Sequence, residues 1–307
     1  MGSTAGQTVT PGHAIATRPG VWLTEASLVV MAIIWGVNFT VVKYGTSLVD
    51  PLAYNGLRVA LAAGTLVAAM IATGAALPSR RETLALLGLG VLGNGLYQCL
   101  FVLGVARTSA SDAALVIAAT PAFVAIIGRL RGTERTNARR AAGIALSIAG
   151  MAFVVLGATS AQGGRSSSLA GDLIMLGASL SWATYTVLLK PYTERVGGLQ
   201  LSALTMLGGA VPLIAFCLPA MVHTNWGTLP RLGWVAAVYS GIGSLVLAYA
   251  IWYRGVRIIG ATRTAMYSNL QPVVAVAVAW ALLGELPTGL QLVGAISIMG
   301  GLLLTRA

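Results

Sequence analysis

From residue 26 onward the chain is a succession of long apolar stretches separated by short polar breaks. The stretches predict spanning helices at about 26–46, 51–73, 83–106, 110–129, 137–157, 170–190, 199–221, 232–253, 262–283 and 288–305. Each comes close to the about 20 residues that an α-helix needs to cross the hydrocarbon core of a bilayer. Residues 1–24 are rich in Gly, Ser, Thr and Pro and have no apolar core after a basic start. They read as a disordered cytoplasmic tail and not as a signal peptide, which leaves the first helix as the insertion signal. The longest polar insert, 158–169, carries Gln162, Gly163, Gly164, Arg165 and three serines, and is the natural linker between the fifth and sixth helices.

Composition agrees with lipid as the solvent. Of 307 residues, 57% are hydrophobic and 9% charged, against roughly 25% charged in a soluble domain. The net charge of +11 would suggest nucleic acid on a soluble protein. Here the cations fall in particular loops and no nucleic-acid partner is expected. With the N-terminus cytoplasmic, the inner side holds Arg18, Arg80, Arg81, Arg129, Arg131, Arg135, Arg139, Arg140, Lys190, Arg195, Arg254, Arg257, Arg263 and Arg306, whereas Arg107, Arg165 and Arg231 fall outside. That bias predicts a multi-pass inner-membrane protein with both termini cytoplasmic. Cys99 and Cys217 lie in apolar stretches, and His13 and His223 in tail and loop, so no metal or cofactor is expected.

The chain also resembles itself. Trp35-Gly36-Val37-Asn38-Phe39-Thr40-Val41-Val42-Lys43 matches Trp182-Ala183-Thr184-Tyr185-Thr186-Val187-Leu188-Leu189-Lys190 at an offset of 147. An offset of 151 aligns Gly104 with Gly255, Pro121 with Pro272, Glu134 with Glu285, Gly143 with Gly294 and Gly150 with Gly301. Two tandem units of five helices must enter the membrane in opposite senses. The cations around Glu134 are replaced by Trp280, Leu282, Leu286, Leu290 and Gln291 around Glu285, as opposite sidedness requires. The expected fold class is therefore an all-α membrane protein of ten transmembrane helices in two inverted five-helix repeats, 25–157 and 170–307. Such repeats can exchange conformations about a site at their seam.

The Trp35-Gly36-x-Asn38-Phe39 stretch with Lys43, Pro51 with Arg58, Ser109-Ala110-Ser111-x-Ala113-Ala114 through Pro121, and Gly284-Glu285 together resemble the drug/metabolite transporter superfamily, specifically its ten-helix EamA-type members. The resemblance covers roughly 26–156 and 170–305. It implies a central cavity and export of amino acids or other metabolites, with a small-molecule substrate, a lipid surround and no enzymatic activity. A monomer or weak homo-oligomer is expected.

Candidate cavity residues follow from polar and aromatic side chains within the apolar runs. Trp35 and Asn38 share a face of the first helix, and Trp182 and Tyr185 are their counterparts on the sixth. These aromatics line a cavity or anchor packing. Tyr97 and Gln98 on the third helix, Tyr249 on the eighth, Thr120 on the fourth, and Ser268, Asn269 and Gln271 on the ninth complete the set. Pro121 and Pro272 each free a carbonyl one turn earlier, near Ile117 and Ser268, and serve as a kink or a gate. Lys43 and Arg58 sit toward the outer ends of their helices, where they snorkel, complement a helix dipole or draw a substrate carboxylate into an outer vestibule. Glu25, Asp50, Glu82, Asp112, Glu134, Asp172, Glu194 and Glu285 all fall at predicted helix ends or loops. With no carboxylate at mid-membrane, a zwitterionic or neutral solute fits better than a lipophilic cation. An exporter of drugs or other organic compounds is the alternative. A non-transport intramembrane protein fits least, because an enzyme would need a nucleophile with its base, or a metal.

Overall fold

The structure is a computed structural model that describes residues 21–132, 138–160, 168–259, 264, 267–268 and 270–306. Among these residues the chain is helical and contains no strand. We number the helices α1 (Val21–Leu48), α2 (Pro51–Ala72), α3 (Arg80–Arg107), α4 (Ala110–Leu130), α5 (Ala138–Ser160), α6 (Leu169–Thr193), α7 (Gly198–His223), α8 (Arg231–Ile259), α9 (Leu270–Leu283) and α10 (Gly289–Arg306). Seven of them, α1–α4 and α6–α8, are long and apolar enough to cross a membrane, and shorter apolar helices cover 141–154, 270–283 and 289–301.

The outside of the bundle is apolar. Ile71, Val211, Val222, Leu282 and Ile296 are each more than 60% exposed. Water would penalise so extensive an apolar surface, and lipid removes the penalty. Helix boundaries follow local chemistry. Asp50 accepts from the N–H groups of Leu52 and Ala53 to start α2, with Pro51 in its first turn. Ser79 and Glu82 form a reciprocal capping box at α3. The first helix starts at Val21, inside the stretch expected to be tail; residues 1–20 and 161–167 of the expected tail and linker lie outside the described residues.

Two departures from straight α-helix were not expected. Val91–Leu96 within α3 and Tyr239–Leu247 within α8 are wound as π-helix. They fall at corresponding places under the 151-residue offset. Each is glycine-rich (Gly93 and Gly95; Gly241 and Gly243), which is the sequence signal that was available. π segments leave carbonyls short of their usual partners, and neighbouring helices supply them. The Trp35 indole donates to Ser244 O at 3.0 Å, and the Ser181 hydroxyl donates to Leu92 O at 3.0 Å.

The helix α4 breaks at Ala119, just ahead of Pro121. The carbonyl expected to be freed near Ile117 is there, and the Thr120 hydroxyl donates to it at 2.6 Å.

The most extensive helix pair is α5 with α10. Gly143 and Ser147 meet Gly301, whereas Gly150 and Val154 meet Gly294, so the two helices run antiparallel. A Cβ on Gly294 would lie 2.6 Å from Gly150 O, and one on Gly150 would lie 2.7 Å from Gly294 O. The small residues therefore serve close packing, where backbone touches backbone.

Candidate functional site

The side chains that seam the two halves together are aromatic. Trp35 meets Tyr249 edge-on with centroids 5.7 Å apart, and Trp252 at 5.7 Å. Trp182 lies against Tyr97 at 4.9 Å, Tyr185 at 5.2 Å and Tyr249 at 5.6 Å. Tyr97 continues to Phe101 at 5.7 Å, and Phe101 to Phe39 at 5.4 Å. The chain of rings thus runs through α1, α3, α6 and α8, and these are the helices on which sequence placed most of the candidates. Trp35 and Trp182, equivalent in the two halves, both contact Tyr249.

Buried polar groups sit among these rings. Gln98 Nε2 donates to the Tyr249 hydroxyl at 3.3 Å. Tyr185 and Tyr253 share a hydroxyl–hydroxyl bond of 3.0 Å. Thr120 reaches Ser179 on α6 at 2.7 Å, so the residue ahead of Pro121 links α4 to α6. Asn38 is 3% exposed and its Oδ1 has no partner. Gln271 is buried, and its carbonyl lies against Gly36, where a Cβ would sit 2.9 Å from it. Ser268 is half-buried and Pro272 is buried in α9. Asn269 lies outside the described residues, and so does the side chain of Pro121.

Both cations, expected at an outer vestibule, contact groups within the bundle. Lys43 Nζ donates to Ala106 O at 3.2 Å and Thr108 O at 2.6 Å. It complements the carbonyl end of α3, as a cation at a helix C-terminus does. Arg58 is 1% exposed, with its guanidinium 5.7 Å from the centre of the Phe101 ring. It lies in the bundle interior, because Pro51 starts α2 two turns earlier and the side chain points toward α3 and not the rim.

A second polar cluster joins the ends of α3, α4, α6 and α10. The Thr108 hydroxyl donates to Asp172 at 2.5 Å, and the Ser168 hydroxyl donates to Arg107 O at 2.9 Å. Glu285 accepts from the N–H groups of Ala110 and Ser111 at 3.2 and 3.1 Å, capping α4. Gln291 donates to Asp112. Asp112 and Asp172 do lie at helix starts, as expected, but each is only 1% exposed. Sequence reasoning missed the roles of Thr108 and Asp172, because neither belongs to a motif and only tertiary contact gives them partners.

An all-helical bundle with a lipid-suited exterior, an aromatic seam and buried amides is a polytopic membrane protein built around a polar interior. The chain belongs to the EamA-like transporter family, whose sequence profile matches residues 22–156 and again 169–307. It is therefore a multi-pass membrane transporter by family. It is 30% identical over 280 residues to a probable amino-acid metabolite efflux pump of Salmonella typhimurium, spanning 89% of this chain and 91% of that protein. It is likewise 30% identical to a probable terminal-alkyne amino-acid exporter of Streptantibioticus cattleyicolor, across 91% of this chain and 92% of the relative. An uncharacterised Bacillus subtilis transporter, YyaM, is 27% identical over 89% of this chain and 90% of its own length. A solved crystal structure superposes with a TM-score of 0.65 at 21% identity, covering 92% of this chain and 98% of that one. It shares the fold.

Proposed function

We propose that the protein is an inner-membrane exporter of amino acids or related zwitterionic or neutral metabolites, working by alternating access between two inverted five-helix repeats. The repeats are 25–157 and 170–307, joined by 158–169, with both termini cytoplasmic. The observation that carries this reading is the contact between Gln98 and Tyr249, residues separated by the repeat offset of 151. Equivalent residues touch only where a two-fold axis passes between them. Ser147 and Ile298, 151 apart, also meet, at 3.5 Å. Gly90 packs against the Thr205 carbonyl while its counterpart Gly241 packs against the Arg58 carbonyl. The antiparallel run of α5 and α10 is what inverted copies require. An axis through Gln98 and Tyr249 supports reading the aromatic seam as the meeting of the halves, where inverted-repeat transporters hold their substrate.

The amino-acid class is supported by the names of the two 30% relatives and by the chemistry of the seam. Rings bind apolar side chains and ammonium groups, and the amides supply hydrogen bonds. Trp35, Asn38, Tyr97, Gln98, Thr120, Trp182, Tyr185, Tyr249, Ser268, Asn269 and Gln271 are the proposed cavity set, with Pro121 and Pro272 as hinges. Reconstituted in liposomes, the protein should show saturable counterflow of at least one amino acid. Asn38→Ala or Gln271→Ala should each lower it about tenfold, the loss of one or two hydrogen bonds to substrate. Cysteines introduced at 38, 97, 185 and 271 should label from water in a conformation-dependent way. Absence of counterflow across a broad metabolite panel by folded protein refutes the transport reading. Carriage of bulky organic compounds alone favours a drug exporter.

A further inference from the structure

We infer that Arg58 is the carboxylate anchor of the substrate site, so that the solutes carried bear a carboxylate and not merely polar groups. This rests on the transport reading above.

Arg58 is among the largest fully buried side chains, yet Nε and Nη1 have no hydrogen-bond partner. Among the described residues, the ionisable groups in electrostatic reach are the phenols of Tyr54, Tyr249 and Tyr97, with no carboxylate among them. A guanidinium cannot shed its charge to ease burial, and it presents paired N–H groups in a fork that fits a carboxylate. The Phe101 ring, 5.7 Å from Cζ, holds one face by cation–π attraction and leaves the N–H edge to act.

The acceptors that a bound zwitterion needs are near the same place. Asn55, one helical turn before Arg58 on α2, donates to Gln98 O at 3.1 Å. That bond fixes its amide orientation and leaves Oδ1 buried without a donor. Gln98 uses Nε2 on Tyr249 and leaves Oε1 without one. Unanswered donors on Arg58 and unanswered acceptors on Asn55 and Gln98 form the complement of a carboxylate joined to an ammonium. The packing of Gly241 against Arg58 O, where a Cβ would lie 2.7 Å away, holds α8 and Tyr249 against this part of α2. In the other half the position of Arg58 is taken by Thr205, whose hydroxyl is spent on Leu201 O at 2.8 Å. The seam is therefore charged on one side, which orients a zwitterion instead of admitting it in either sense.

The test compares acids with their amides. Proteoliposomes loaded with an unlabelled mixture of the twenty common amino acids should take up the same labelled mixture. Uptake of a labelled mixture of the corresponding amino-acid amides should be at least tenfold lower, because the amide removes the negative charge and keeps the shape. Arg58→Gln should raise the half-saturating acid concentration at least tenfold, and Arg58→Lys less. Amides carried as well as acids by the wild type would show that Arg58 is satisfied by water or packing and would overturn the inference, leaving the transport reading intact. An unchanged half-saturating concentration in folded Arg58→Gln would do the same. If Arg58→Gln does not fold, the acid–amide comparison on the wild type decides alone. If neither mixture is carried, the transport reading falls and the inference falls with it.

Discussion

Gly294→Leu is expected to destabilise the protein by about 3 kcal/mol or more, at the upper end of what overpacking costs. Any side chain there must enter the space held by Gly150 O, 2.6 Å from an ideal Cβ, with Val154 also in contact. Backbone cannot swing aside as a flexible side chain can, so α5 and α10 must part. Gly88→Leu is the control, because a Cβ at Gly88 meets nothing within 4 Å and a leucine there favours helix over glycine. Thermal unfolding in detergent should show a large fall in midpoint for Gly294→Leu and little change for Gly88→Leu. Equal shifts would mean that the contact does not limit stability.

Cross-linking Thr108→Cys to Asp172→Cys, with Cys99 and Cys217 replaced by Ala, is expected to stop turnover altogether, and reduction is expected to restore it. The native side chains touch at 2.5 Å, so two sulfurs at these positions face each other across α3 and α6. The surrounding contacts of Lys43, Ser168 and Glu285 close the same end. The counterpart of Lys43 is Lys190, which is exposed. This end of the seam is thus tied by hydrogen bonds. Under the proposed alternating access, the tie must open once per cycle. Full cross-linking with undiminished counterflow would show that this end never parts.

The two cations show where reading from sequence stops. Both stood out as expensive charges in apolar helices, and both do matter structurally. Their roles depend on what lies opposite. Lys43 meets the spent end of α3, whereas Arg58 meets an aromatic face and, among the described residues, no acid. Spacing along α1 and α2 contains neither fact. The π segments are similar: the sequence reading did not expect them, and the need for Trp35 and Ser181 to fill their carbonyls arises only when α1 meets α8 and α6 meets α3. Pro121 behaved as its covalent structure demands, because a missing N–H is a local property.

The sequence alone determined the helical class, the lipid surround, the doubling of the unit and most residues of the aromatic seam. Hydrophobic length, charge placement and internal similarity are one-dimensional properties that chain chemistry converts directly into helices in a bilayer. Tertiary structure alone decided which buried polar groups are answered and which are left open. Hydrogen bonding acts over about 3 Å, and the partners that join one helix to another here stand 43 to 209 residues apart along the chain.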